Sequence, residues 1–435
     1  MRYISTRGQA PPVSFLDAVL NGMAPDGGLY VPESWPAPIF AGAGVKPGID
    51  TYAETARLVL GAFAGDDLSA QEAADLADTA YWAPTLADEG VVRRWPPAVT
   101  PLVQIDSGDW ILELFRGPSL SFKDIAMQLI APLYDVALAR LDRRLSVVCA
   151  TSGDTGGAAV EALKGRERVD LFVLLPKDRV SDVQRLFMTA SGADNVHAIV
   201  AQSVYFHIAS AALAASGPVN FIVPTGNFGD AFSGYVAKKT GAPIDKITLA
   251  TNSNDILARA LKSGRYERAE QSYATLSPAM DIQLASNFER ILFEVLERDG
   301  EAVSRLYAQF AQSGGFDIPP DALSRLRADF SSNTASDADT LTAMTARWGK
   351  GEGYLICPHT AVGLHVGAGA EAARVFLATA HPAKFPETVE RATGVHPELP
   401  TKCADLFQRS EKFDSLPADA EAVKQHIRER SRAWT

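Results

Sequence analysis

Beyond the Pro96-Pro97 pair the chain falls into short apolar runs, each closed by turn residues and followed by a stretch with helical spacing. Runs at 145–150, 169–175, 219–223, 246–250, 354–357 and 375–378 predict strands, and helical character follows each of them. Strands that alternate with helices in this way predict an α/β fold: open, mostly parallel sheets with helices on both faces and the connecting loops gathered at the carboxyl ends of the strands. Residues 1–95 lack that alternation. Short helical patterns there are broken by Asp26-Gly27-Gly28 and by the proline-rich stretch 32–38, which predicts a small amino-terminal domain preceding a catalytic region at 96–435. Within that region a mobile subdomain is expected at about 115–200 and a helix-rich insertion at about 265–346, with apolar periodicity at 288–296 and 303–310.

Composition narrows the classes of partner. With 435 residues and 47% hydrophobic content the chain can build a core divided between domains. Its 52 acidic and 41 basic residues, a net charge of −11, argue against nucleic acid or an anionic membrane as a partner, so an anionic ligand must be held locally. Cys149, Cys357 and Cys403 are far apart and show no CxxC spacing, and the seven histidines show no HExxH pair, so neither a disulfide framework nor a metal is expected. Residues 1–10 lack the apolar core of a secretory signal, and no window approaches the ~18 apolar residues of a membrane span. A cytoplasmic protein is expected, monomer or homodimer.

Four segments carry candidate chemistry. In Arg116-Gly117-Pro118-Ser119-Leu120-Ser121-Phe122-Lys123-Asp124, the spacing of Ser121 and Asp124 is that of a capping box and sets Lys123 in the first turn of a helix over 125–140. The helix dipole disfavours an ammonium there, and desolvation by Phe122 adds to the effect, which is how a lysine becomes a nucleophile for carbonyl compounds. Set against this is an ordinary exposed lysine beside a cap. Thr151-Ser152-Gly153-Asp154-Thr155-Gly156-Gly157 follows the 145–150 run, where backbone N–H groups and the next helix can receive a carboxylate or phosphate; a tight capping turn fits the same residues. Gly226-Asn227-Phe228-Gly229-Asp230 follows the 219–223 run, its glycines permitting positive φ and close approach of backbone to a phosphate, with Asp230 expected to cap its helix. Pro358-His359-Thr360-Ala361-Val362-Gly363 follows the 354–357 run. Loops placed after parallel strands converge on one crevice.

Taken together these segments resemble the threonine synthase family, tryptophan-synthase-beta-like enzymes of pyridoxal-phosphate fold type II. The resemblance runs through Tyr3-Ile4-Ser5-Thr6-Arg7-Gly8, Ala24 to Pro32, the lysine and glycine segments, Ser277-Pro278-Ala279-Met280-Asp281 and Thr379-Ala380-His381-Pro382-Ala383-Lys384-Phe385. It implies that Lys123 holds pyridoxal 5'-phosphate, that Gly226, Asn227, Phe228, Gly229 and Asp230 bind its phosphate, that Thr360 meets its ring nitrogen and that Asp154 lies by its ring oxygen. It also implies conversion of O-phosphohomoserine and water to threonine and phosphate, with Thr151, Ser152, Gly153, Asp154, Thr155, Arg116 and Ser119 on the substrate side. Lys177, Arg179 and Arg185 are further candidates for the leaving phosphate. A serine or threonine dehydratase would share the lysine and the loops but not the amino-terminal Asp26 to Tyr30 pattern; a catalytically silent relative would share both. One departure from the family stands out: between the 196–199 and 200–205 stretches a segment of several tens of residues with an Asn-Ser-Ile-Asn motif is absent.

Overall fold

The computed structural model describes residues 1–39, 51–81, 84–85, 92–93, 95–96, 98–150, 153–174, 181–189, 199–350, 353–367, 373–411 and 413–433. Its centre is a six-stranded sheet in the spatial order Phe330–Thr334, Ile244–Thr251, Val219–Pro224, Arg374–Ala378, Asp109–Glu113, Leu102–Asp106. The first five strands run parallel, and Leu102–Asp106 joins antiparallel at the edge as a hairpin with Asp109–Glu113. The central strand Val219–Pro224 is buried along nearly its whole length, as a parallel strand covered on both faces must be. A second sheet pairs Leu145–Ala150 with Val169–Leu174, again parallel.

Most predicted strands are present at these positions, with three differences. The 354–357 run is not a strand: Ile356 and Cys357 are buried, but the neighbouring positions in the sheet are taken, and the segment hands directly over to the helix Pro358–Val366, whose first turn donates Thr360 N–H to Cys357 Sγ at 3.5 Å. Apolar character there reflects burial and not pairing. The hairpin of Leu102–Asp106 and Asp109–Glu113 lies outside the predicted runs because its mixed residues alternate only weakly. The helix-rich region contains the edge strand Phe330–Thr334, whose sequence Phe-Ser-Ser-Asn-Thr carries little apolar signal. The helices expected there are Phe288–Val295 and Gly300–Ser313.

Every parallel strand delivers its carboxyl end to one side. Val219–Pro224 leads into the Gly226 loop, and Asp109–Glu113 into the Arg116 segment. Beyond Ala378 the chain continues as a short ladder against the lysine segment: Phe122 N–H donates to Thr379 O at 2.8 Å and His381 N–H to Leu120 O at 3.0 Å. That ladder places the helix Lys123–Leu141 at the carboxyl edge of the sheet.

The amino-terminal signature is a structural knot. Asp26 accepts from Ser5 Oγ and Gly28 N through one carboxylate oxygen and from Gln9 N and Ala10 N through the other, at 2.7 to 2.9 Å. A Cβ on Gly28 would lie 2.2 Å from Ser5 Oγ, so only glycine closes the turn. Tyr3, Phe15 and Phe63 share one apolar core with Phe206, Phe221 and Phe232 of the central region. Among the described residues no helix is long and apolar enough to cross a membrane.

Candidate active site

Lys123 is the first residue of its helix and is half-buried, with Nζ 4.7 Å from the centroid of the Phe122 ring. The expected capping box forms only in part. Asp124 reaches back to Ser119 N–H at 2.8 Å and to Ser121 N–H at 3.5 Å, but the Ser121 hydroxyl shares a hydrogen bond with Ser119 Oγ and caps nothing. Gly117 makes this fold-back possible, since a Cβ there would lie 2.4 Å from the Asp124 carboxylate. Burial pushes Asp124 up to about 6, against the pull of Ser119 and of the Lys384 and Lys402 ammoniums.

The glycine loop opens the helix Gly229–Lys239. The positive φ expected of its glycines belongs instead to Phe228, at 66°, which is the N-cap and offers no side-chain cap, so the amino end of the helix stays open to an anion. The glycines serve close approach: a Cβ at Gly226 would come within 3.0 Å of Ala279 O and Met280 Cα, and one at Gly229 within 3.2 Å of Asn287 Nδ2. Asn227 Oδ1 is held by Ser286 N–H and its hydroxyl, each at 2.7 Å. Asp230 does not cap. Its Oδ1 accepts from the Tyr205 hydroxyl, Oδ2 has no partner, and burial raises the carboxyl to about 7 against the Tyr205 hydrogen bond and the Lys123 charge.

His359 joins these loops. Its Nε2 accepts from Ala279 N–H at 3.3 Å, on the turn that packs against Gly226, which leaves Nδ1 as the protonated nitrogen, buried and without a partner. Burial brings His359 down to about 4, opposed by Asp154 and supported by Lys123 and Lys384, so the ring is neutral at pH 7. Thr360 is buried beside it with its hydroxyl 3.2 Å from Cys357 Sγ.

Asp154 is the first residue of the helix Asp154–Leu163 and is buried. Its Oδ1 meets Lys384 Nζ at 2.7 Å and Gln184 Nε2 at 3.0 Å. Burial alone would raise this carboxyl, but Lys384, then Lys123 and His359, outweigh it and hold it well below the usual carboxylate range. Gly153 is needed for the approach of Gln184, whose Nε2 would stand 2.8 Å from a Cβ there. Thr155 follows in the same turn, whereas Thr151, Ser152, Lys177 and Arg179 lie outside the described residues.

Lys123 thus stands within electrostatic reach of Asp154, Asp230 and His359. Ser119 is buried nearby, its carbonyl accepting from Lys384 Nζ at 2.9 Å. Arg116 is set to one side, part-exposed and paired with Glu113, which also accepts from Tyr354 at 2.6 Å. Arg185 is taken up by Asp182 and Glu411. Three participants received no role from the sequence. Lys384 and His359 lay in segments already singled out, but nothing marked them as buried; Tyr205 sits in an unmarked apolar helix.

The residues fit pyridoxal phosphate on their own terms. An open helix terminus follows a loop whose glycines let neighbouring backbone close in, and two buried polar atoms without partners, Asp230 Oδ2 and His359 Nδ1, belong to side chains facing the same lysine.

Comparison with known proteins agrees. A family model described as "Threonine synthase N terminus" matches residues 2–81, and one described as "Threonine synthase, C-terminal" matches residues 360–427. The threonine synthase of Pseudomonas aeruginosa is 38% identical, with 98% of each chain covered. That alignment is 474 positions long, which leaves about 48 positions where this chain has no residue. A crystal structure of PLP-bound threonine synthase from Brucella melitensis is 42% identical with a TM-score of 0.90, covering 99% of this chain and 100% of that one. Yeast threonine synthase is 31% identical with a TM-score of 0.87, 98% of each chain being covered. Matched along its length by relatives above 30% identity and near both ends by that family's own models, the chain belongs to the threonine synthase family.

Proposed function

We propose that this chain is a pyridoxal-phosphate-dependent lyase that converts O-phospho-L-homoserine and water into L-threonine and phosphate. The observation that carries the reading is the placement of Lys123, at a helix start, facing Asp154, Asp230 and His359 at the carboxyl edge of the sheet. Lys123 would hold the cofactor, the Gly226 to Asp230 loop its phosphate, Thr360 its ring nitrogen, and Asp154 the neighbourhood of its ring oxygen. Bound there, pyridoxal phosphate supplies the electron sink for breaking C–H bonds at the substrate α and β carbons.

The chain's own groups do the rest. Lys123, as an amine, would carry protons to and from those carbons. The phosphate departs with the electrons of the γ C–O bond; the hydroxyl of water ends on the β carbon and a proton on the γ carbon. Neutral His359 presents an N–H donor without adding charge. The backbone N–H groups of Gly153, Asp154 and Thr155, with Thr151 and Ser152, would receive the substrate carboxylate, and Ser119 and Arg116 would complete the substrate side. This reading places the protein at the final step of threonine synthesis, and its three buried cysteines, none in a disulfide, suit a reducing cytoplasm.

Phosphate release and threonine formation from O-phosphohomoserine, with added pyridoxal phosphate, test the proposal. Turnover that disappears in Lys123→Ala is expected. Cofactor uptake with no turnover by the parent chain would refute the activity and leave the binding.

A further inference from the structure

Lys384 is fully buried beside the site: its side chain is 0% exposed, and that of its partner Asp154 is 3% exposed. A buried ammonium survives only when its donors are satisfied. Here Nζ meets Asp154 Oδ1 at 2.7 Å and Ser119 O at 2.9 Å, and lies over the Phe187 ring, 5.3 Å from its centroid. The two ends of the pair come from different parts of the fold. Lys384 closes the turn Pro382–Lys384 after the strand Arg374–Ala378 of the large sheet, whereas Asp154 and Gln184 belong to the helices that follow the small one. Ser181 Oγ also donates to Lys384 O at 2.9 Å, so both backbone and side chain tie the two regions together.

We propose that Lys384 is a positioning residue whose ammonium keeps Asp154 ionised and in place beside Lys123 at the cofactor site. The inference rests on the proposed use of pyridoxal phosphate and adds to it a group that touches no reacting atom. Lys123 cannot do this work alone, because a proton carrier must spend part of each turnover as a neutral amine. The groups that face Asp154 are Lys384 from its turn, Lys123 and His359 from their helix starts, and Gln184; His359 is neutral at pH 7, which leaves Lys384 as the permanent cation. The same site holds a built-in comparison. Asp124 and Asp230 are buried carboxyls on which Lys384, Lys402 and Lys123 act only from beyond ion-pair distance, and they stand at about 6 and about 7, whereas Asp154, paired with Lys384, is held low. Without Lys384, burial would bring Asp154 into their range.

Two measurements on Lys384→Gln, which keeps a polar tip and loses the charge, test this. In the cofactor-loaded protein, a pH titration of the visible absorption is expected to gain a transition between about pH 6 and 7, beyond any that Asp124 and Asp230 give the parent, and to lose that added transition in Lys384→Gln/Asp154→Asn. In the cofactor-free protein, the loss of melting temperature relative to the parent is expected to grow from pH 5 to pH 8. A carboxyl whose folded pKa lies above its unfolded value costs stability as pH rises between the two, because the unfolded state then binds fewer protons. A titration that superimposes on the parent's, or a deficit that is the same at both pH values, would reduce Lys384 to a packing residue and overturn the proposal. A parent that takes up no pyridoxal phosphate would refute the functional reading and leave the cofactor-free measurement to decide on Lys384.

Discussion

Replacing Glu289 measures how far the amino-terminal segment supports the site. Glu289 lies in the first turn of the helix Phe288–Val295 and is buried; it accepts from Thr6 Oγ1 at 2.6 Å and from Arg7 Nε and Nη2 at 3.2 and 3.1 Å. The residues just before it, Ser286 and Asn287, are those that pin Asn227 of the glycine loop. The Tyr3 to Gly8 signature is thus joined to the Gly226 loop through the Glu289 carboxylate. Removing one partner of a buried ion pair costs about 3–5 kcal/mol. Arg7 keeps 28% exposure and can recover some hydration, so the lower end, about 3 kcal/mol, applies to Glu289→Ala. At roughly 2.1 cal/mol/K per residue, a chain of 435 residues that unfolds as one unit loses about 3 °C in Tm. Glu289→Gln retains an acceptor for Thr6 and should lose about half as much. Differential scanning calorimetry reads the shift, and titration with pyridoxal phosphate reads the loop, where a loss of affinity on the order of tenfold is expected, as for other supporting residues of bound groups. An unchanged Tm in Glu289→Ala would refute the energetic argument, and a full Tm loss with undiminished cofactor affinity would refute the link to the loop.

Further expectations follow from the loop itself. Above about pH 7, cofactor binding to the parent must take up the proton that Asp230 has lost, so affinity should fall as pH rises, by at most about tenfold per unit, and Asp230→Asn should flatten the fall; equilibrium titrations at pH 6 to 8 test it. Gly226→Ala forces a methyl against the backbone of Ala279 and Met280, an overpacking worth about 1–3 kcal/mol, and should weaken cofactor binding while Tm falls by no more than about 3 °C; a larger Tm loss would place the strain outside the loop.

What the sequence made legible follows from the range of the forces involved. Buried parallel strands announce themselves as apolar runs because both faces are covered, and helix starts announce themselves through local turns, so Lys123, the Gly226 loop and three of the six strands of the central sheet could be placed from the chain alone. Edge elements could not: Phe330–Thr334 and the Leu102–Asp106 hairpin bury little, and their residues look like loop. The charge states were likewise hidden. Nothing near Lys384 in sequence tells that its side chain crosses to Asp154, or that Tyr205, in an apolar helix, meets Asp230. Such contacts join residues far apart in the chain and are decided by packing of whole elements.

The segment absent at the 196–200 join divides the site in a way that can be tested. The residues proposed to hold the cofactor lie elsewhere in the chain. The helix Ile199–Ala212, which begins at that join, still seats Tyr205 against Asp230 and His207 against Thr240 at 2.9 Å. Among the described residues Leu145–Ala150 and Val169–Leu174 form a pair with no further strand. Two strands alone make a marginal unit, yet they carry Gly153 and Asp154, on the side assigned to the substrate. Inserting the family's segment at the join should therefore leave cofactor affinity and the visible spectrum unchanged, within about twofold, and lower KM for O-phosphohomoserine by roughly tenfold, the scale of one or two charge-assisted hydrogen bonds. Steady-state phosphate release read beside cofactor titration separates the two. A changed cofactor affinity with an unaltered KM would mean that the absent segment belongs to the cofactor side, and that the helix beginning at Ile199 does not complete that side by itself.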